Sequence, residues 1–153
     1  AIAAFDLFYQ RWSFEKDMKM TKEEVKEEFK QMEGDPKVKG KIRSIQQSMA
    51  RSRMMQAVPD ADVIIRNPTH FAVALKYDID RDNAPIVIAK GQDHIALKIV
   101  EIGEQHGVKI LENKPLARGL YASTPLNSEI PAEYYGVVAE ILVEIFRLNN
   151  KLK

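Results

Sequence analysis

The sequence predicts an α/β fold: a small four-stranded sheet flanked by helices, preceded by an extended N-terminal helical linker. Three observations carry this. Up to residue 60, apolar residues recur at three- and four-residue spacing among charged ones, as on one face of a helix. Beyond it, short runs rich in Val and Ile are bounded by Pro, Asn and Asp, as strands are. Between and after those runs, longer stretches return to helical spacing. The chain therefore divides into a helical linker, residues 1–60, and a compact α/β domain, residues 61–153.

The linker opens on Ala1-Ile2-Ala3-Ala4-Phe5-Asp6-Leu7-Phe8-Tyr9-Gln10-Arg11-Trp12, without an initiator methionine, and reads like the exit of something longer. Tyr9 and Trp12 beside Arg11 suit a membrane interface, although an amphipathic helix docked on its own domain has the same look. Thr21-Lys22-Glu23-Glu24 fits a capping box, so a helix should restart at Thr21. Val25, Phe29 and Met32 give that helix an apolar stripe. Gly34-Asp35-Pro36 closes it and is the best hinge candidate, with glycine as helix stop and proline as opener of the next segment. A second helix follows over residues 37–55, with Val38, Ile42, Ile45, Met49 and Met55 on one side. Residues 37–53 hold six basic residues and no acidic one. Such a face is commonly just solvated; it would also suit anionic lipid, an acidic partner or nucleic acid. Nucleic acid is the weak option, because no stacking aromatics are interleaved with the charges.

In the compact domain, strands are expected over residues 62–66, 71–76, 86–89 and 108–111. A helix over residues 92–106 ends at Gly107. The unit from Ile86 to Leu111 is strand-helix-strand, so its two strands should be parallel neighbours or near neighbours. Residues 116–122 should form a short helix, and residues 132–148, opened by Pro131, a longer one.

Composition excludes several function classes. Apolar residues make up 45% and charged ones 29%, with net charge +1, an ordinary folded protein. There is no cysteine, hence no disulfide framework and no thiolate nucleophile. Nothing approaches the roughly eighteen consecutive apolar residues of a spanning helix. His70, His94 and His106 lie too far apart in sequence to form a recognisable ligand pair, so no metal is expected, and no glycine-rich phosphate loop or other cofactor motif appears. Asp93 and Glu101 read as solvent-facing helix residues, and Arg118 as either a surface residue or a partner for a carboxylate near residues 67–70.

The chemistry is placed at Asn67-Pro68-Thr69-His70, between the first two strands. Asparagine before an ordinary residue decays when the next backbone nitrogen attacks its side chain, which deamidates without cutting. Proline blocks that route, because its nitrogen carries no hydrogen. What remains is attack by the Asn67 side-chain nitrogen on its own main-chain carbonyl, closing a succinimide and expelling Pro68. Nucleophile and target belong to one residue, so proximity is covalent and the fold need only select a rotamer and polarise a carbonyl. Cleavage in minutes to hours corresponds to a barrier of roughly 21–24 kcal/mol. His70 is the nearest candidate to accept a proton, with packing beside Phe71 as its plain role. Thr69 either donates to the reacting carbonyl or caps the turn. An ordinary hairpin link is the plain reading of the whole segment, but this tetrapeptide should arise by accident in only about one chain of this length per thousand.

Asn67-Pro68-Thr69-His70, preceded by Ala57-Val58-Pro59-Asp60-Ala61-Asp62-Val63-Ile64-Ile65 and followed by Ala89-Lys90-Gly91 and Pro115-Leu116-Ala117-Arg118-Gly119-Leu120-Tyr121, resembles the cytoplasmic domain of the FlhB/YscU family. These are export-switch components of flagellar and injectisome type III secretion systems. The resemblance extends from about Thr21 to Phe146, and the continuation Phe71-Ala72-Val73-Ala74-Leu75-Lys76-Tyr77 is closer to the flagellar branch. It implies a transmembrane portion upstream, a location at the cytoplasmic face of the bacterial inner membrane, and single-turnover self-cleavage rather than turnover catalysis. It implies that the cut switches export from early to late substrates. The partners implied are other export-apparatus proteins, secreted substrates and a hook- or needle-length ruler protein. Ala84-Pro85 enters a strand from a polar loop, and Ala139 and Leu142 lie one turn apart on the last helix. If these four meet, they form a shallow apolar groove for an extended substrate segment; packing into the core is the competing fate. A non-cleaving adaptor and a nucleic-acid-binding module using residues 37–53 are the alternatives.

Overall fold

The computed structural model describes residues 2–150, with side-chain surroundings for all of these except Ile2, Ala3, Phe5, Met20, Met32 and Glu33. Met32, counted in the apolar stripe of the first helix, thus lies outside the described side chains. The chain forms two units, Ala1–Ser48 and Met49–Lys153. The division falls earlier than residue 60, because the last turns of the second helix belong to the compact unit: Met54, Met55 and Val58 pack into its core.

The first unit is helical. Helix α1 spans Ile2–Glu33 and α2 spans Pro36–Ala57, so α2 runs on into the second unit. The expected restart at Thr21 does not occur. Residues 13–20 contain neither Gly nor Pro to stop the preceding helix, so no free N-terminus exists for Thr21 to cap. Its hydroxyl instead donates back to the carbonyls of Asp17 (2.9 Å) and Met18 (3.0 Å), as an interior threonine does. The break expected at Gly34-Asp35-Pro36 is present: Gly34 has φ +72°, and Asp35 accepts the Lys37 N–H at 3.0 Å, starting α2. Of the predicted apolar face of α2, Val38, Ile42, Ile45 and Met49 are exposed, and only Met55 packs into the core.

The second unit is a sheet between helices. Its strands are β1 (Val63–Asn67), β2 (Phe71–Lys76), β3 (Ile86–Gln92) and β4 (Lys109–Glu112), in the order β3-β2-β1-β4. β1 and β2 form an antiparallel hairpin in which Asn67 pairs with Phe71, β2 and β3 are antiparallel, and β1 and β4 are parallel. The strands flanking the strand-helix-strand unit, β3 and β4, are therefore parallel as expected but are not neighbours; they occupy opposite edges. The reason is β1, whose Val63, Ile64 and Ile65 are fully buried. A strand apolar on both faces is stable only with partners on both sides, so β4 takes its open edge.

Helices α4 (Lys114–Ser123) and α5 (Tyr135–Leu148) cover one face through Leu116, Leu120, Val138 and Leu142, against Val63, Ile65, Val73 and Leu75. On the other face α3 (His94–Gln105) brings Ala96, Ile99 and Val100 against Ile64, Ala72, Ala74 and Ala89. Alternation along β2 explains the asymmetry: large side chains face α4 and α5, and alanines let α3 approach. The approach is close enough that a Cβ on Gly103 would overlap Ile64. Asn113 caps α4 by accepting the Leu116 N–H at 3.2 Å, and Pro131 opens a 3-10 turn, Ala132–Tyr134, ahead of α5.

Candidate functional site

Asn67, Pro68, Thr69 and His70 form the tight turn between β1 and β2, closed by the His70 N–H donating to the Asn67 carbonyl at 3.1 Å. Asparagine first and proline second is a favourable composition for such a turn, because proline presets the backbone angle that the second position needs. The turn is tied down at three successive points. The Asn113 N–H donates to the Arg66 carbonyl (3.1 Å), His70 to Asn67 as above, and the Asp93 N–H to the His70 carbonyl (2.8 Å). Asn67 and Pro68 are half-buried, while Thr69 and His70 are exposed.

The side chains are less constrained than the backbone. No hydrogen bond engages the Asn67 amide among the described residues, so none has to break for its nitrogen to turn towards its own carbonyl. The Thr69 hydroxyl is likewise unengaged. The imidazole of His70 faces outward, 62% exposed; its Nδ1 lies 3.9 Å from Asp93 Oδ1, and its ring centroid lies 6.2 Å from that of Phe71. It makes no hydrogen bond to Asn67. Phe71 anchors the turn from below by stacking on Tyr121 at 4.6 Å. Tyr121 is held in turn by Lys90, whose ammonium lies 5.1 Å from the ring centre and donates to the carbonyls of Tyr121 (3.1 Å) and Thr124 (2.7 Å). The segment Ala89-Lys90-Gly91 thus supports the hairpin and is no phosphate loop.

Asp93 is the residue that sequence reasoning missed. It faces solvent as expected, 67% exposed, but stands at the N-cap of α3 and not within the helix, with φ 51° and ψ −116° and no side-chain bond to the helix it begins. A non-glycine residue in such a conformation costs about 1–3 kcal/mol, and an unused cap forgoes about 1 kcal/mol more. An aspartate before an apolar helical run ordinarily reads as a cap, so only the pairing of β2 with β3 reveals where it lies. Glu101 is an exposed helix residue, 3.3 Å from Lys98. Arg118 and Lys114 line a cleft of about 650 Å³ that reaches Asn67, and neither has an ion-pair partner among the described residues. His94 and His106 lie at opposite ends of α3, and no group of metal-ligating side chains exists among the described residues.

The structure also brings Ala84, Pro85, Ala139 and Leu142 together. They line an apolar cleft of about 240 Å³ with Tyr77, Ile79, Tyr135 and Val143. Ala84 and Leu142 are buried, forming its floor as part of the core; Ala139 is exposed and Pro85 half-buried. Core and groove are therefore two sides of the same residues. No helix among the described residues is long and apolar enough to cross a membrane.

Comparison with known proteins agrees with this architecture. The chain is 49% identical over 151 residues to the flagellar biosynthetic protein FlhB of Bacillus subtilis, covering 99% of this chain and 42% of that protein. It thus spans about two fifths of the length of the curated relatives it matches. The cytoplasmic domain of FlhB from Shewanella putrefaciens superposes with a TM-score of 0.61 at 46% identity, over 63% of this chain and 80% of that one. An EscU C-terminal domain carrying an asparagine-to-aspartate substitution superposes with a TM-score of 0.58 at 29% identity, over 60% of this chain and 98% of that one. Residues 1–145 match the model of the FlhB HrpN YscU SpaS family, and the chain belongs to that family.

Proposed function

We propose that this chain is the switch domain of a flagellar-type export apparatus, at the cytoplasmic face of the bacterial inner membrane, and that it cuts its own backbone once between Asn67 and Pro68. The carrying observation is the His70 N–H on the Asn67 carbonyl, next to a side-chain amide that no described residue hydrogen-bonds. The Asn67 side-chain nitrogen adds to the Asn67 carbonyl carbon, and the negative charge that develops on oxygen falls where that N–H already points. The bond to the Pro68 nitrogen then breaks. The proton released by the amide is replaced on Pro68, which departs as a secondary amine, and one water opens the succinimide to leave a carboxylate on residue 67.

The two pieces stay associated. β1 is an interior strand held by β2 and β4, and burial of Val63, Ile64 and Ile65 contributes about 5–9 kcal/mol at roughly 1.5–3 kcal/mol each. What changes is the turn, which gains a free carboxylate facing the Lys114 and Arg118 cleft and a free amine at Pro68. That local change of charge and freedom is the switch, and its readers are other export-apparatus proteins and a length-ruler protein.

The test is the mass of the aged, unfolded protein beside that of Pro68→Gly. The parent should yield two fragments. Pro68→Gly restores a backbone N–H after Asn67, so the chain should stay largely whole and gain about 1 Da by deamidation. A parent chain that stays intact ends the proposal.

The groove favours a second function in the same protein. Its exposed apolar rim, with Ile79, Tyr135 and Val143, suits an extended apolar segment of a secreted substrate. Ala139→Glu places a charge on that rim without touching the floor. It should weaken binding of such a segment at least tenfold, and the melting temperature should move by less than about 2 °C, as is usual for an exposed site. Loss of folding with unchanged binding by the folded fraction would remove the groove from consideration.

A further inference from the structure

We propose that Asp93 is a positioning residue for the Asn67–Pro68 turn, clamping His70 so that the His70 N–H stays on the Asn67 carbonyl. The inference rests on the self-cleavage reading.

Two local preferences are overridden at this one residue. An aspartate at a helix N-cap ordinarily turns its carboxylate back onto the first free N–H groups. Asp93 does not; its carboxylate projects towards His70, 3.9 Å from Nδ1. Its backbone occupies φ 51° and ψ −116°, a region that glycine enters freely and side-chain-bearing residues avoid. A residue required only to begin α3 would be better served by glycine, or by an aspartate that caps.

Both departures act on the same neighbour. The unusual backbone aims the Asp93 N–H at the His70 carbonyl, which it reaches at 2.8 Å, while the carboxylate faces the imidazole. Strand register explains why these residues meet. Phe71 pairs with Gln92, so the residue just past the end of β3 lies beside the residue just before β2. Gly91 fixes the position of α3 behind them, since a Cβ there would overlap Ile95. The result is a two-link chain from the rigid start of α3 through His70 to the reacting carbonyl. The Asp93 carbonyl accepts the Leu97 N–H at 3.0 Å as α3 begins, while its N–H and carboxylate are both directed at His70. Strain held at a residue that ties a helix start to a reactive turn is the pattern expected of a positioning role.

Asp93→Gly separates this role from ordinary support of the fold. Glycine relieves the backbone and removes the carboxylate, so stability and cleavage should move in opposite directions. In the Asn67→Ala background, which cannot cut itself, Asp93→Gly should raise the melting temperature by roughly 2–5 °C. In the same background, hydrogen exchange at the His70 amide should accelerate about tenfold. In the parent chain, Asp93→Gly should slow cleavage about tenfold. Unchanged exchange at His70, or a melting temperature that falls along with the cleavage rate, would overturn the proposal by making Asp93 a plain structural residue. If the parent chain never cleaves, the self-cleavage reading fails, and the exchange measurement still decides whether Asp93 clamps His70.

Discussion

Asn67→Ala, unfolded in strong denaturant after long incubation, is expected to give one species of 153 residues, whereas the parent chain gives fragments of 67 and 86 residues. The effect is complete because the substitution removes the nucleophile itself. No other side chain is covalently placed at that carbonyl, and replacing an intramolecular attack by an intermolecular one forfeits about 7–11 kcal/mol of barrier reduction. Before denaturation, both proteins should elute together on size exclusion and show the same circular dichroism. The hydrogen bonds of β1 to β2 and to β4 lie outside the turn and survive its scission. Fragments that separate without denaturant would show that β1 is held less firmly than its burial implies. A parent chain and Asn67→Ala that are indistinguishable in denaturant would remove the chemistry altogether.

The second large effect concerns the backbone of residue 70 rather than its ring. Replacing the amide N–H of His70 with an ester oxygen by semisynthesis should slow cleavage about a hundredfold or more, the usual consequence of deleting one preorganised donor to a developing oxyanion. His70→Ala retains that N–H and should slow cleavage by less than about tenfold, since the imidazole makes no hydrogen bond to Asn67 and a solvent base can replace it. An ester at Thr69, whose N–H bonds to nothing among the described residues, serves as the control and should cleave near the parent rate. The ordering ester-70, then His70→Ala, then ester-69 is the expected result. A His70→Ala chain as slow as the ester at residue 70 would transfer the role from backbone to ring. Parent and His70→Ala rates that coincide from about pH 5 to 9 would leave the imidazole without any part.

What was legible along the chain was whatever depends on near neighbours. Val63-Ile64-Ile65 and Phe71-Ala72-Val73-Ala74-Leu75 declare strands by their composition, Gly107 and Pro131 mark a helix end and a helix start, and Asn67-Pro68 suggests the proposed chemistry because the nucleophile and carbonyl it requires lie in one residue. Local reasoning failed where a longer-range term dominated. The capping box at Thr21 was real in composition, but α1 had already engaged the N–H groups it would have capped.

The sequence alone therefore determined the strands that flank Asn67-Pro68 and the helices around them, since each follows from bonding and burial within a few residues. The tertiary structure alone decided that β4 closes the open edge of β1, that Ala84 and Pro85 meet Ala139 and Leu142, and that Asp93 reaches His70. Those outcomes depend on how two faces of one sheet are covered and on the register in which β3 pairs with β2. Both are fixed by burying apolar surface between residues far apart in the chain, a quantity that no local stretch contains.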